Sequence, residues 1–347
     1  MSHEMGLRSR LQARFMGWRH NTPLPKLDEK DTAVIFQSWH EFDSSSSRWI
    51  QLSAKKSTAG SYSTQSAQDI PLALVTWNIN GTDLAPDIRT SAIVTHIRDM
   101  RPVMDVIFLQ EVTRTTLSVL LAMPWVREQW YSSEADATSW GHQSISTMTL
   151  LSKSRFHGLK CTPERAALGA VWRVPFPSHF GRDALCCDIF LPICTPSECK
   201  KSVPGSHARI RLVNVHLDSL AIQPSYRPRQ LSIIASYLRA AGRGLVAGDF
   251  NPVLPEDDSL INENNLVDVW TELRPNDPGF TWGIDGKQAY PANRLDKVAK
   301  LGLKTHEIEV IPPGTCTYAY AAENRPEERE HKWSDHCGLK CSFGLGD

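Results

Sequence analysis

The run Leu245-Val246-Ala247-Gly248-Asp249-Phe250-Asn251 ends in a carboxylate and a carboxamide two residues apart. Its apolar half has the length and composition of a buried strand, and Gly248 breaks it. An extended backbone turns Asp249 and Asn251 to one face and Phe250 to the other. A carboxylate so placed can take a proton from water, and a neighbouring amide can hold that water or a phosphate oxygen. The same residue types also build turns, and the motif alone leaves the two readings evenly matched.

Four more apolar runs finish in comparable residues. Leu72 to Trp77 leads into Asn78, Asp105 to Leu109 into Gln110-Glu111, and Ile210 to Val215 into His216, while Lys332-Trp333-Ser334 precedes Asp335-His336. Each has its own structural explanation. Asn78 can cap a turn, Glu111 can favour a helix start, His216 can be a half-buried histidine, and Asp335 can be a turn residue. Together they supply carboxylates, carboxamides and two histidines, the set that phosphoester hydrolysis requires. Mg²⁺, or Mn²⁺ in its place, is a hard ion that keeps most of its waters, so one carboxylate and one amide oxygen suffice to hold it.

Such residues need a frame that gathers strand ends. A chain of 347 residues can form two domains or one large α/β domain. Lys+Arg and Asp+Glu both number 38, so there is no global basic field and any nucleic-acid contact must be local. No apolar run approaches a membrane span. The eight cysteines lack zinc-like spacing and no secretory h-region is present, which points to reduced thiols in an intracellular protein. Residues 1–30 read as a basic, disordered tail, with Arg8, Arg10, Arg14, Arg19 and Lys26 against Glu4. An Arg-rich, acid-poor start is also the composition of a mitochondrial presequence, so the mitochondrion stands beside nucleus and cytoplasm as a destination. Residues 31–70 read as a hairpin, 33–39 with 49–52 around four serines, followed by a Ser-rich linker over 53–69. From residue 71 the pattern is regular. Helices are expected at 86–100, 114–122 and 229–240, and strands at 146–152, 184–191 and 210–215, with an irregular insertion at 192–207. Strands that follow one another directly favour a mixed sheet, or two packed sheets faced by helices.

Thr76-Trp77-Asn78-Ile79-Asn80-Gly81, Phe108-Leu109-Gln110-Glu111-Val112, Asn214-Val215-His216-Leu217-Asp218-Ser219, Gly248-Asp249-Phe250-Asn251 and Ser334-Asp335-His336 occur in the order of the endonuclease/exonuclease/phosphatase superfamily. Over about residues 71 to 343, within a catalytic domain expected at 71–347, the chain resembles this superfamily, and most of all its tyrosyl-DNA phosphodiesterase branch. Asn80 and Cys337 depart from that branch, which has aspartate and tryptophan there. The resemblance implies a four-layered α/β sandwich of two packed mixed sheets flanked by helices. It implies that Glu111 binds Mg²⁺ directly and that Asn78 does so directly or through water. Asp249 would activate water, Asn251 would orient it, and His216 and His336 would donate hydrogen bonds to phosphate oxygens. Asp296 would orient His336, and Asp335 joins the catalytic set through Ser334-Asp335-His336. The implied partner is a nucleic-acid end, a single-stranded DNA 5′ end carrying a peptide, met by a monomer in DNA repair. Other DNA or RNA phosphodiesters, a small or lipid phosphoester, and a nucleic-acid-binding pseudoenzyme are the alternatives.

Overall fold

The computed structural model describes residues 12, 14–26, 34–53, 71–82, 84–159, 166–193, 207–322 and 325–346. In chain order the first strands are β1 (Ile35–Gln37), β2 (His40–Asp43), β3 (Arg48–Gln51), β4 (Leu72–Asn78), β5 (Val106–Thr113), β6 (Trp130–Ser132), β7 (Ile145–Ser152) and β8 (Ala167–Pro175). They are followed by β9 (Asp183–Pro192), β10 (His207–His216), β11 (Gly244–Asp249), β12 (Val267–Asp268), β13 (Asp296–Leu301), β14 (Leu303–Ile311), β15 (Thr315–Ala322), β16 (Arg325–Lys332) and β17 (Gly338–Leu345). One sheet of seven strands runs β1-β8-β9-β10-β11-β13-β12, and a second of eight runs β14-β17-β4-β5-β7-β6-β2-β3. Each sheet is antiparallel except for one inner parallel pair, β10 with β11 and β4 with β5. Those two pairs end in His216, Asp249 and Asn78.

Three buried clusters separate four layers, as the resemblance implies. Between the sheets, Leu72, Leu74, Val106 and Phe108 meet Leu185, Cys187, Leu212 and Leu245. The alternate residues of the same strands face outward. Ala73, Val75 and Ile107 pack under Ile93, Val94 and Ile97 of the Pro86–Asp99 helix, and Val213 and Val246 under Leu231, Ile234 and Leu238 of the Arg227–Ala241 helix. Both helices carry proline in their first turn, where its missing N–H costs nothing. The second stops at Gly242, whose φ of 83° suits a left-handed cap. Each fully buried Leu, Val or Phe stabilises the frame by about 1.5–3 kcal/mol. Among the described residues no helix is long and apolar enough to cross a membrane.

The first fifty residues differ from expectation. The hairpin is His40–Asp43 with Arg48–Gln51, one strand later than the aromatic pattern suggests, and it extends the eight-stranded sheet through β6. Ile35–Gln37 crosses instead to pair with β8 of the other sheet. Residues 14–26, expected as disordered tail, lie on the fold because buried arginines need acceptors. Arg211 donates to Pro23 O at 2.9 Å, Leu24 packs on the outer cluster, and His20 stacks on Phe36 at 5.1 Å. Most of the 53–69 linker and of the 192–207 insertion lies outside the described residues.

Candidate active site

Period-two alternation builds the site layer by layer. The inward positions are Leu72, Leu74, Thr76 and Asn78 on β4, and Val106, Phe108 and Gln110 on β5. On the facing sheet they are Ile210, Leu212, Asn214 and His216 on β10, and Leu245, Ala247 and Asp249 on β11. The gap between the sheets therefore changes from hydrocarbon to amides to ionisable groups toward the carboxyl ends of the parallel strands. Asn78 closes the last layer across the gap, its Nδ2 donating to Glu111 Oε1 at 3.1 Å and to Asp249 Oδ2 at 3.0 Å.

Glu111 does not end its strand. The β5–β7 register shifts between Leu109 and Val112, and Glu111 occupies this bulge at φ 57°. A left-handed backbone costs a non-glycine residue about 1–3 kcal/mol, so its neighbours must hold it there. Besides Asn78, Gly81 N donates to Glu111 Oε2 at 2.6 Å. A Cβ on Gly81 would lie 2.9 Å from Ile145 Cγ2 and 3.3 Å from that same oxygen, so this approach needs glycine. The alternation expected to carry Asn251 beside Asp249 also fails, because β11 stops at Asp249. Asp249 Oδ1 accepts from Asn251 N at 3.0 Å, Asn251 turns to φ 47°, and its Nδ2 donates to Leu217 O at 3.2 Å. The turn that competed with the site reading is thus the device that places Asn251.

Asp249 is the hub. Its Oδ2 lies 3.5 Å from His216 Nε2 and 3.9 Å from His336 Nε2. Burial pushes its carboxyl up; against the His336 cation, and reinforced by Asp296, it comes to rest at about 7. Asp296 faces Asp249 across the β11–β13 ladder and accepts from His336 Nδ1 at 2.8 Å. Burial alone would lower the His336 pKa, but the carboxylates of Asp296, Asp249 and Asp335 outweigh it and raise it to about 10. His216 behaves oppositely. Burial, with the nearby cations of Arg182 and His336, holds it well below 6.5, so it is a neutral imidazole with one N–H to offer.

Asp335 is the expected residue that the structure sets apart. Its Oδ1 accepts from Asn80 Nδ2 at 2.8 Å and its Oδ2 from Trp282 Nε1 at 3.2 Å, so its carboxylate is spent fixing the loop before His336. Asn80, where the resembling branch has aspartate, suits this contact, since a second carboxylate would repel the first. Three supporting groups escaped the sequence reading. Thr281 Oγ1 accepts from Asp296 N at 3.0 Å and fixes the start of β13. Gln110 and Asn214 bridge the sheets beneath the site. Arg182 is the third; burial lowers its pKa, while the charges of Glu111, Asp249, Asp218 and Asp183 pull it up. Antiparallel pairing was the signal for it, because the start of β9 must lie beside the end of β10 that carries His216.

The donor set offers a divalent cation two places. Asp249, Asp296 and His336 form one cluster of metal-capable atoms, but the 2.8 Å hydrogen bond commits Asp296 to the imidazolium. Glu111 offers the carboxylate oxygens a hard ion prefers. Asn78 turns its Nδ2 to Glu111 and its Oδ1 accepts from Asn80 N at 3.0 Å, so Asn78 would reach an ion there through water or with its amide turned. Glu111 remains 25% exposed, and among the described residues its ion-pair contact is His216 Nε2 at 3.9 Å. Glu111, Asp249 and Asp296 place three carboxyl groups around the His336 cation, with the charges of Arg182 and Arg89 also acting on Glu111, and a cation beside Glu111 would add to that balance.

Among solved structures, the chain is similar to TDP2 of D. rerio, complexed there with single strand DNA product, at 20% identity over 80% of this chain and 100% of that one, with a TM-score of 0.57. TDP2 of Caenorhabditis elegans gives 17% identity over 82% and 77% of the two chains and a TM-score of 0.54. An endonuclease/exonuclease/phosphatase family protein of Bacteroides thetaiotaomicron gives 14% over 80% and 98%, with 0.52. At these identities the likeness is one of fold. No curated protein matches the chain in sequence. The model of the Endonuclease/Exonuclease/phosphatase family matches residues 75–336, from inside β4 to His336, and the chain belongs to that family.

Proposed function

We propose that this protein is a metal-dependent phosphodiesterase that cleaves 5′-phosphotyrosyl DNA ends by direct attack of water, in the manner of tyrosyl-DNA phosphodiesterase 2. The observation that carries the reading is the ring of polar groups from both sheets around one buried carboxylate. Asn78, His216 and His336 all lie within 3.9 Å of Asp249 Oδ2. The single-stranded DNA product held by the D. rerio protein supports a DNA end as the substrate class.

Asp249 accepts the proton of the attacking water, and a carboxylate near neutrality suits that role. Asn251, fixed through Leu217, orients water and phosphate. The neutral His216 and the protonated His336 each donate to a non-bridging oxygen, and both bonds strengthen as charge develops. Arg182 adds a fixed positive charge on the His216 side. Glu111, with Asn78, would hold Mg²⁺ or Mn²⁺, which supplies charge neutralisation at the phosphate. A phenolate leaves without a strong general acid, since its conjugate acid has a pKa of about 10. A panel of chromogenic, RNA, DNA and 5′-tyrosyl oligonucleotide substrates, with and without EDTA, tests the reading. EDTA-sensitive release of tyrosine at the highest kcat/KM is expected. Preference for an internal phosphodiester or a small phosphoester would move the protein to another branch of the family, and inactivity on all of them would leave a binding protein.

A further inference from the structure

One layer beneath Asn78, His216 and Asp249, the gap between the sheets holds a polar bridge that the chemistry above does not use. Gln110 Nε2 donates to Thr76 Oγ1 at 3.0 Å and to Asn214 Oδ1 at 2.8 Å, and all three side chains are fully buried. Asn214 Nδ2 donates in turn to Met148 O at 2.9 Å and Leu109 O at 3.3 Å. Thr76, Gln110 and Met148 belong to the eight-stranded sheet and Asn214 to the seven-stranded one. The amides thus tie the sheets together where Leu74, Phe108, Leu212 and Ala247 give way to the site.

Stability alone does not account for the bridge. A buried hydrogen bond gains little net free energy, and a buried acceptor left without a partner costs some of it back. Gln110 Oε1 has no hydrogen-bond partner among the described atoms. Apolar side chains of the same shape would hold the sheets about as well. Hydrocarbon, however, does not fix direction or register, and directional hydrogen bonds do. The site needs that fixation, because Asn78 and Glu111 come from one sheet and His216 and Asp249 from the other.

We infer that Gln110 and Asn214 are positioning residues that set the spacing of the two sheets, and so of the two halves of the site, for hydrolysis. The inference rests on the site being hydrolytic. The test is the double variant Gln110→Met/Asn214→Leu, which replaces both amides by apolar chains of similar shape. Thr76→Val accompanies it as the milder change, removing one hydroxyl. Two readouts are taken: kcat and KM on bis(p-nitrophenyl) phosphate with Mg²⁺, and the side-chain amide resonances of Asn78 in the metal-free protein. The double variant should regain most of the Tm lost by either single variant, yet lose about 10²-fold in kcat with KM little changed. Thr76→Val should lower kcat in the same direction, and the Asn78 resonances should move in both. Folded variants with wild-type kcat and unmoved Asn78 resonances would overturn the inference. A wild-type protein inert on every phosphodiester would refute hydrolysis instead, and the Asn78 resonances would still decide whether the bridge positions the two halves.

Discussion

Asp249 sits where burial and charge meet, and its neighbours set the pH behaviour of the site. Its carboxyl must be ionised to act as base, so the rate should rise as pH passes about 7, and a bound cation should shift this limb to lower pH. His336 must be protonated to donate, so the rate should fall as pH rises through about 10. The pairing's contribution to stability has the same sign. It is present in full below the pKa of a free histidine and is lost as pH rises through the raised value. Asp296→Asn should bring the alkaline limb of the pH–rate profile down in pH. It should cost little once His336 is already alanine, because the two act as one unit. Full additivity of the two losses would break the pairing. Glu111→Gln should cut activity by orders of magnitude at low Mg²⁺ and recover part of it at high Mg²⁺ or with Mn²⁺. An enzyme with Gln at this position and an unchanged metal midpoint would remove Glu111 from the cation.

At the scale of elements, what was legible followed periodicity. The apolar runs into Asn78, His216 and Asp249 are strands, and the helices at 86–99 and 114–122 lie where spacing placed them. Two features were hidden, because they break periodicity. Glu111 is displayed by a bulge inside β5 and Asn251 by a left-handed turn, and neither has a pattern beyond the residues themselves. The direction of the Asp335 side chain, toward Asn80 and Trp282, was not legible because a motif gives adjacency and not side-chain direction. The β10–β11 pair also depends on a close backbone approach that composition does not reveal. A Cβ on Gly248, at φ 140°, would meet Val215 O at 2.0 Å. Gly248→Ala should therefore destabilise by about 4 kcal/mol or more, the range reserved for severe backbone conflicts. Urea denaturation measures this, and an unchanged midpoint would contradict the β10–β11 geometry.

For the whole molecule, two sheets place their polar ends together at one rim, while apolar layers and outer helices hold the rest. The segment 14–26 lies against β10 through Pro23 O to the buried Arg211 and Asn21 O to the partly exposed Arg209. Arg209 and Arg211 precede His216, the site residue that ends this strand, so the docking is set back from the site. Removing residues 1–26 should lower Tm, by about 2–4 °C for each kcal/mol lost, and leave kcat unchanged. A truncated protein with lost activity and wild-type Tm would make the segment part of the site. The docking was illegible because an isolated basic stretch looks the same whether its carbonyls meet water or a buried guanidinium.

On the proposed chemistry, water deprotonated by Asp249 at the rim between the sheets attacks the phosphorus. Single-turnover cleavage of a 5′-phosphotyrosyl oligonucleotide by the wild-type protein and by Asp249→Asn, both with saturating Mg²⁺, tests it most directly. The variant should react about 10²–10⁴-fold more slowly, with substrate affinity kept or improved because a negative charge near the phosphate is gone. A variant that cleaves at the wild-type rate, or one that loses binding while its bound substrate reacts normally, would contradict it.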